Sequence, residues 1–140
     1  MRVTMMLCDS AQCADGKLYI LGGGWSVCGP DAMPSAIALK FDVDWTEAGS
    51  HHWELYLVDE DGQPVIIETP NGRHPMEVQA DINVERPTNI PEGSPIDFSA
   101  AVNFAPLPLE AGRRFTWRLT IDGETRPDWV LSFSTRERVS

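Results

Sequence analysis

Few strings in this chain could do chemistry, and each lacks something that its chemistry requires. Gly22-Gly23-Gly24-Trp25 looks like an anion-binding loop, since bare glycine backbone lets amides approach a phosphate. Such a site needs a helix N-terminus directly after the glycines, or the lysine and hydroxyl of a nucleotide loop, and neither follows. The string reads instead as a bent or bulged strand with Trp25 packed over bare backbone. Asp59, Asp61 and Gly62 open like a calcium loop, but Pro70 stands where the twelfth-position glutamate should be. A plain turn is the reading. Calcium assembled from separate loops, with Asp42 or Asp44 recruited, is the alternative.

His51 and His52 are neighbours, so in an extended strand they point to opposite faces and cannot easily share a metal ion. His74 sits in a loop before Pro75. Cys8, Cys13 and Cys28 are odd in number and lack the spacing of a zinc ribbon, so reduced thiols are expected, with one disulfide as the alternative. No basic residue adjoins Cys8, which reads as an inert buried thiol. There is no Gly-x-Ser-x-Gly elbow, and no nucleophile, base and orienting group can be assembled. The expectation is a protein that is not an enzyme, with no catalytic residue, no metal and no cofactor. The competing reading is a loop-based metal-dependent hydrolase using Asp42, Asp44, Asp59, Asp61 and His74.

The totals narrow the partners. With 11 basic and 21 acidic residues among 140, the formal charge is −10. An acidic surface repels phosphate backbones and anionic lipid, so neither nucleic acid nor membrane is expected as a partner. No apolar run approaches the roughly 20 residues of a spanning helix, and the N-terminus lacks a signal-peptide core. A cytoplasmic location follows as the expectation. The length suits a single domain, residues 1–140.

The elements that must position these residues are strands. Met76, Val78, Ala80, Ile82 and Val84 alternate without a miss against Glu77, Gln79, Asp81 and Asn83. The same period recurs from Ile96 to Phe104 and from Phe115 to Ile121. A period of two marks a strand with one face buried and the other wet. Further strands are expected over Arg2–Asp9, Lys17–Cys28, Ala36–Asp44, His52–Asp59, Pro64–Thr69 and Trp129–Thr135. Trp45–Gly49 could form one helical turn, and proline-rich Arg86–Pro95 is long enough to cross between sheets. The fold class is all-β: a single immunoglobulin-like β-sandwich of about seven to nine mostly antiparallel strands. Its core should include Ile37, Leu39, Trp53, Leu55, Val78, Ile82, Phe98, Val102, Trp117, Leu119 and Phe133.

The string Ala14-Asp15-Gly16-Lys17-Leu18-Tyr19-Ile20-Leu21-Gly22-Gly23-Gly24-Trp25 resembles a family of short, uncharacterised bacterial proteins known mainly from actinobacteria. The likeness continues through Ala36–Lys40, Leu57–Val65, Leu107–Leu109 and Arg118–Gly123. It implies an unknown function, with no catalytic residues to carry over. The C-terminal part also resembles an immunoglobulin-like domain, although Phe115 stands where a corner tyrosine would be and no Cys…Trp…Cys framework exists.

The first two expected strands differ from the rest in being partly apolar on both faces. Val3, Met5 and Leu7 alternate with Thr4, Met6 and Cys8, and Leu18 and Ile20 with Tyr19 and Leu21. Such a pair needs covering by its own chain or by a partner. The functional expectation is a protein-interaction or assembly module, acting on itself as a homodimer or on another protein through Met6, Tyr19, Leu21 and Trp25. A small-molecule or glycan-binding sandwich using Trp25, Trp45 and Trp129 is the alternative.

Overall fold

The computed structural model describes residues 1–139, which form an all-β protein. Four strands, β1 (Arg2–Ala14), β2 (Lys17–Gly23), β4 (Ser35–Val43) and β9 (Ile96–Phe104), make one sheet in the order β2-β1-β4-β9. Between β2 and β4 the two-residue β3 (Val27–Cys28) joins a second sheet. That sheet adds β5 (Gly49–Asp59), β8 (Glu77–Val84), β10 (Arg114–Ile121) and β11 (Val130–Thr135), in the order β3-β11-β10-β5-β8. β6 (Ile66–Thr69) and β7 (Gly72–Pro75) form a separate ribbon. The ladders are antiparallel except β3 with β11.

One core lies between the two larger sheets. Ile37, Leu39 and Phe41 of β4 meet Trp53, Leu55, Trp117, Leu119 and Phe133 of the other sheet. Two aromatic pairs bridge the gap: Phe41 with Trp53 at 6.1 Å, and Phe104 stacked on Trp117 at 4.9 Å. Val78, Phe98 and Val102 pack against this core while staying partly accessible. The Arg86–Pro95 segment does carry the chain from one sheet to the other, between β8 and β9. Trp45–Glu47 forms a 3-10 turn, with Glu47 N–H donating to the Asp44 carbonyl.

The strand count is eleven, above the seven to nine expected, and two local causes account for it. Gly22 takes a left-handed φ of 59° within β2 and Gly24 one of 89° just past its end, where the chain turns toward the other sheet. The expected single strand Lys17–Cys28 is therefore two strands in two sheets. The segment after Pro64 pairs with β5 only briefly, through Val58 and Pro64, before Ile66–Thr69 folds onto its own partner β7.

The first strand also runs five residues beyond its expected end at Asp9. Its first half pairs with β4, from Arg2 opposite Asp42 to Cys8 opposite Ala36. Its second half leaves β4 and pairs with β2 alone, closing at Ala14 opposite Lys17. Asp15 and Gly16, at φ 53° and 71°, make the two-residue turn. Both central residues need positive φ in such a turn, which is why an Asp-Gly pair occupies it.

The N-terminal hairpin as candidate interaction surface

Past Cys8 the hairpin lies back across the outer face of its own sheet. Ala36 and Ala38 alternate with the core residues Ile37 and Leu39, so their side chains point outward. They are nonetheless buried, in a second small cluster with Cys8 and Ala11, against which Leu18 and Ala101 pack. Methyl groups there let the hairpin approach closely. Asn103 pins it: its Nδ2 donates to the Ala11 carbonyl at 2.8 Å, and its Oδ1 accepts from Ala11 N–H at 3.2 Å. The side-chain amide thus replaces the strand partner that β1 loses where β4 ends.

One face of the hairpin is covered in this way, and the other is not. Tyr19 is 56% exposed and Leu21 71%, large fractions for such side chains. Met6 and Ile20 are each 39% exposed and converge on Gly23, where an added Cβ would stand 2.7 Å from Met6 Sδ and 2.9 Å from Ile20 Cγ2. Gly22 is required twice over, by its φ and by Asp9, whose Oδ2 would lie 2.1 Å from a Cβ. These contacts tie the glycine run to the hairpin rather than to a ligand loop, and no helix follows it.

Trp25 is placed elsewhere. It is half-buried, edge-on to Phe133 at 6.2 Å, and lines a cleft of about 540 Å³ with Val27, Cys28, Met33, Pro34 and Arg136. Met6, Tyr19 and Leu21 stand on the hairpin, while Trp25 has left it with the chain that enters β3. Ile20 belongs with the hairpin group, and its signal was the unbroken apolar run Leu18–Leu21. Of the other tryptophans, Trp129 is buried beneath the Arg126 guanidinium. Trp45 is half-buried, its Nε1 donating to the Ser94 carbonyl.

The remaining reactive groups are engaged locally. Cys8, Cys13 and Cys28 are free thiols. Burial pushes the Cys8 thiol above its ordinary range, with the Asp9 carboxylate adding to the effect, so its thiolate is disfavoured. Burial raises Cys28 too, against the opposing pull of Arg136. Asp59 Oδ1 accepts from Asp61 N–H and Gln63 N–H, both at 2.9 Å, which is turn chemistry.

His51 lies between Asp122 Oδ2 and the Glu47 carbonyl, 2.6 Å from each. His52 lies between Asp81 and Glu54, at 2.7 Å and 3.1 Å. Each ring has an acceptor at both nitrogens, which favours the imidazolium form, and both pKa values are raised by these bonds. Asp42 pairs with Lys40 at 2.8 Å, and Asp44 caps the 3-10 turn. Asp44 precedes the start of β5 and Asp59 ends it, on the order of 30 Å apart for a strand of that length. His74 sits on the separate ribbon. Asp42 and Asp44 lie before β5 and Asp59 and Asp61 at its far end, so among the described residues the five do not gather into one metal-holding group.

Fold and surface together define a small all-β protein that presents an apolar hairpin. The chain belongs to a family of unknown function, DUF6941, whose model matches residues 3–133, a span that includes all of the hairpin but Arg2. No curated protein and no solved structure matches it. Among the described residues no helix is long and apolar enough to cross a membrane.

Proposed function

We propose that this protein is a non-enzymatic interaction or assembly module whose contact surface is the N-terminal hairpin, on a scaffold of immunoglobulin-like sandwich type. One observation carries the reading. The hairpin buries one face against its own sheet through Ala11 and Leu18, and leaves Tyr19 and Leu21 exposed on the other. An apolar strand left open invites association, and a soluble chain needs something to cover it. Tyr19 is the anchor by residue type, because a rigid aromatic ring contributes area at little entropic cost. The free thiols support a reducing, cytoplasmic setting. Light scattering on the wild type and on Tyr19→Glu/Leu21→Glu tests the reading. The variant should lose association with an unchanged far-UV spectrum, and equal association in both proteins would refute it.

A second reading, small-molecule or glycan binding, is supported by the cleft at Trp25. Its lining is mainly apolar, with Arg136 and Asp9 as charged groups and Trp25 as the aromatic surface. A ligand there should change tryptophan emission in the wild type and not in Trp25→Phe.

A further inference from the structure

We infer that the hairpin's partner is a second copy of this chain, joined by antiparallel pairing of β2 with β2 across a two-fold axis at Ile20, so that two four-stranded sheets become one. This rests on the reading of the hairpin as the contact surface and specifies its partner and geometry.

The backbone makes the first argument. A two-residue turn makes Ala14 and Lys17 a pair that exchanges both hydrogen bonds, and antiparallel pairs alternate from there. Gln12 and Tyr19 are bonded, whereas Leu18 opposite Cys13 and Ile20 opposite Ala11 are not. The N–H and C=O groups of Leu18 and Ile20 therefore point away from β1. β2 is the terminal strand of its sheet, and among the described residues β1 is its one strand partner.

The second argument is that β2 is the undefended edge. Sheet edges are ordinarily protected by charge, shortness or cover. β8, at the far edge of the five-stranded sheet, sets Glu77, Gln79, Asp81 and Asn83 along its exposed face, and β3 is two residues long. β9 is half-buried along most of its length. β2 has neither charge nor proline from Leu18 to its end, and nearly every residue is exposed.

Register supplies the third. With the axis at Ile20, its backbone exchanges both bonds with the second copy's Ile20. Tyr19 then lies opposite the second copy's Leu21, and symmetry repeats that pair. Residues directly opposite in a non-bonded pair are the closest on the sheet, and aromatic–aliphatic pairs there are favourable. Lys17, the one charge on β2, falls opposite Gly23, so no like charges meet across the seam. Centring the axis on Tyr19 would instead set Lys17 against Leu21. Leu18 faces Gly22 in the next bonded pair, where its N–H would meet the Gly22 carbonyl, and the chain turns away after Gly23. A seam this short falls in the class of interfaces below about 1,200 Å², so the dimer is weak and exchanges with monomer.

Residue-resolved amide exchange on the unaltered chain tests this at two concentrations, about 10 μM and about 1 mM, chosen to bracket a weak equilibrium. The Leu18 and Ile20 amides should gain protection at the higher concentration, while Tyr19 is protected at both. Unchanged Leu18 and Ile20 exchange overturns the inference, as does a monomer throughout. Ile20→Pro removes the outward-facing N–H, which an edge position tolerates, together with the Ile20 side chain, so Ile20→Ala, which keeps the N–H, is its control and should still dimerise. Ile20→Pro should abolish the dimer and keep the fold, whereas Tyr19→Glu/Leu21→Glu removes the side-chain contact. Association that survives Ile20→Pro but not the double variant overturns edge pairing and leaves the hairpin surface standing. Association that survives both overturns the hairpin reading itself.

Discussion

Asn103 holds Ala11 by both of its backbone groups, across 92 residues of sequence. The amide side chain does for the second half of β1 what β4 does for the first half, and it fixes where the hairpin lies. Replacing it with leucine leaves the Ala11 N–H and carbonyl without partners in a part-buried site, at a cost of about 1–3 kcal/mol. Urea unfolding of Asn103→Leu should show that loss, and amide exchange should show Ala11 opening ahead of the core.

Ala38 should tolerate little growth. It faces outward from β4 but lies beneath the hairpin, 2% exposed. Ala38→Leu should lift the hairpin or strain it, costing about 1–3 kcal/mol. At an ordinary solvent-facing strand position the same change would be close to neutral. Equal stability of Ala38→Leu and wild type would mean that the hairpin does not rest on this face.

Gly22→Ala places a side chain at a φ of 59° and against the Asp9 carboxylate. The conformational part alone costs about 1 kcal/mol, and Asp9 must also move. Gly16→Ala, at a similarly positive φ but with open space around it, should cost less. Urea midpoints of the two variants check the order.

The His51–Asp122 pair gives the fold a pH dependence of defined sign. The His51 pKa is raised above its ordinary 6.5, first by the bond to Asp122 and then by the Glu47 carbonyl. Its stabilisation is fully present below 6.5 and is lost as pH rises through the elevated folded value. Asp122 is lowered below 3.8, first by His51 and then by His52 N–H, so its share is present above 3.8 and is lost as pH falls through the depressed value. His51→Ala should therefore cost most between pH 3.8 and 6.5, with the difference from wild type shrinking at alkaline pH. Urea midpoints across that range check it. A penalty that grows with rising pH would contradict the pairing.

Strands with one wet face were legible because their alternation is complete. Met76–Val84 is the clearest, and β8 follows it to within a residue. The split at Gly22–Gly24 was visible as a bend, but its consequence was not, since which sheet receives Val27–Cys28 depends on β11, more than 100 residues away. Ala36 and Ala38 were silent for a different reason. Alanine fits a wet or a covered face equally well, so the folding-back of the hairpin left no periodic mark. The apolar run Leu18–Leu21 did point to a surface in need of cover. The separation of Trp25 from that surface followed from the positive φ of Gly24, which sequence alone could not place.

The most direct test of the account is sedimentation equilibrium of the wild type and Tyr19→Glu/Leu21→Glu, each at about 50 mM and about 500 mM salt. Two chains of charge −10 repel at a distance while the hairpin contact is apolar. The wild type should therefore associate reversibly and more tightly at high salt, and the variant should remain a monomer in both. A wild type whose mass is independent of concentration and salt, with no protein captured through the hairpin, or a variant that associates equally well, would contradict the hairpin as the working surface of this protein.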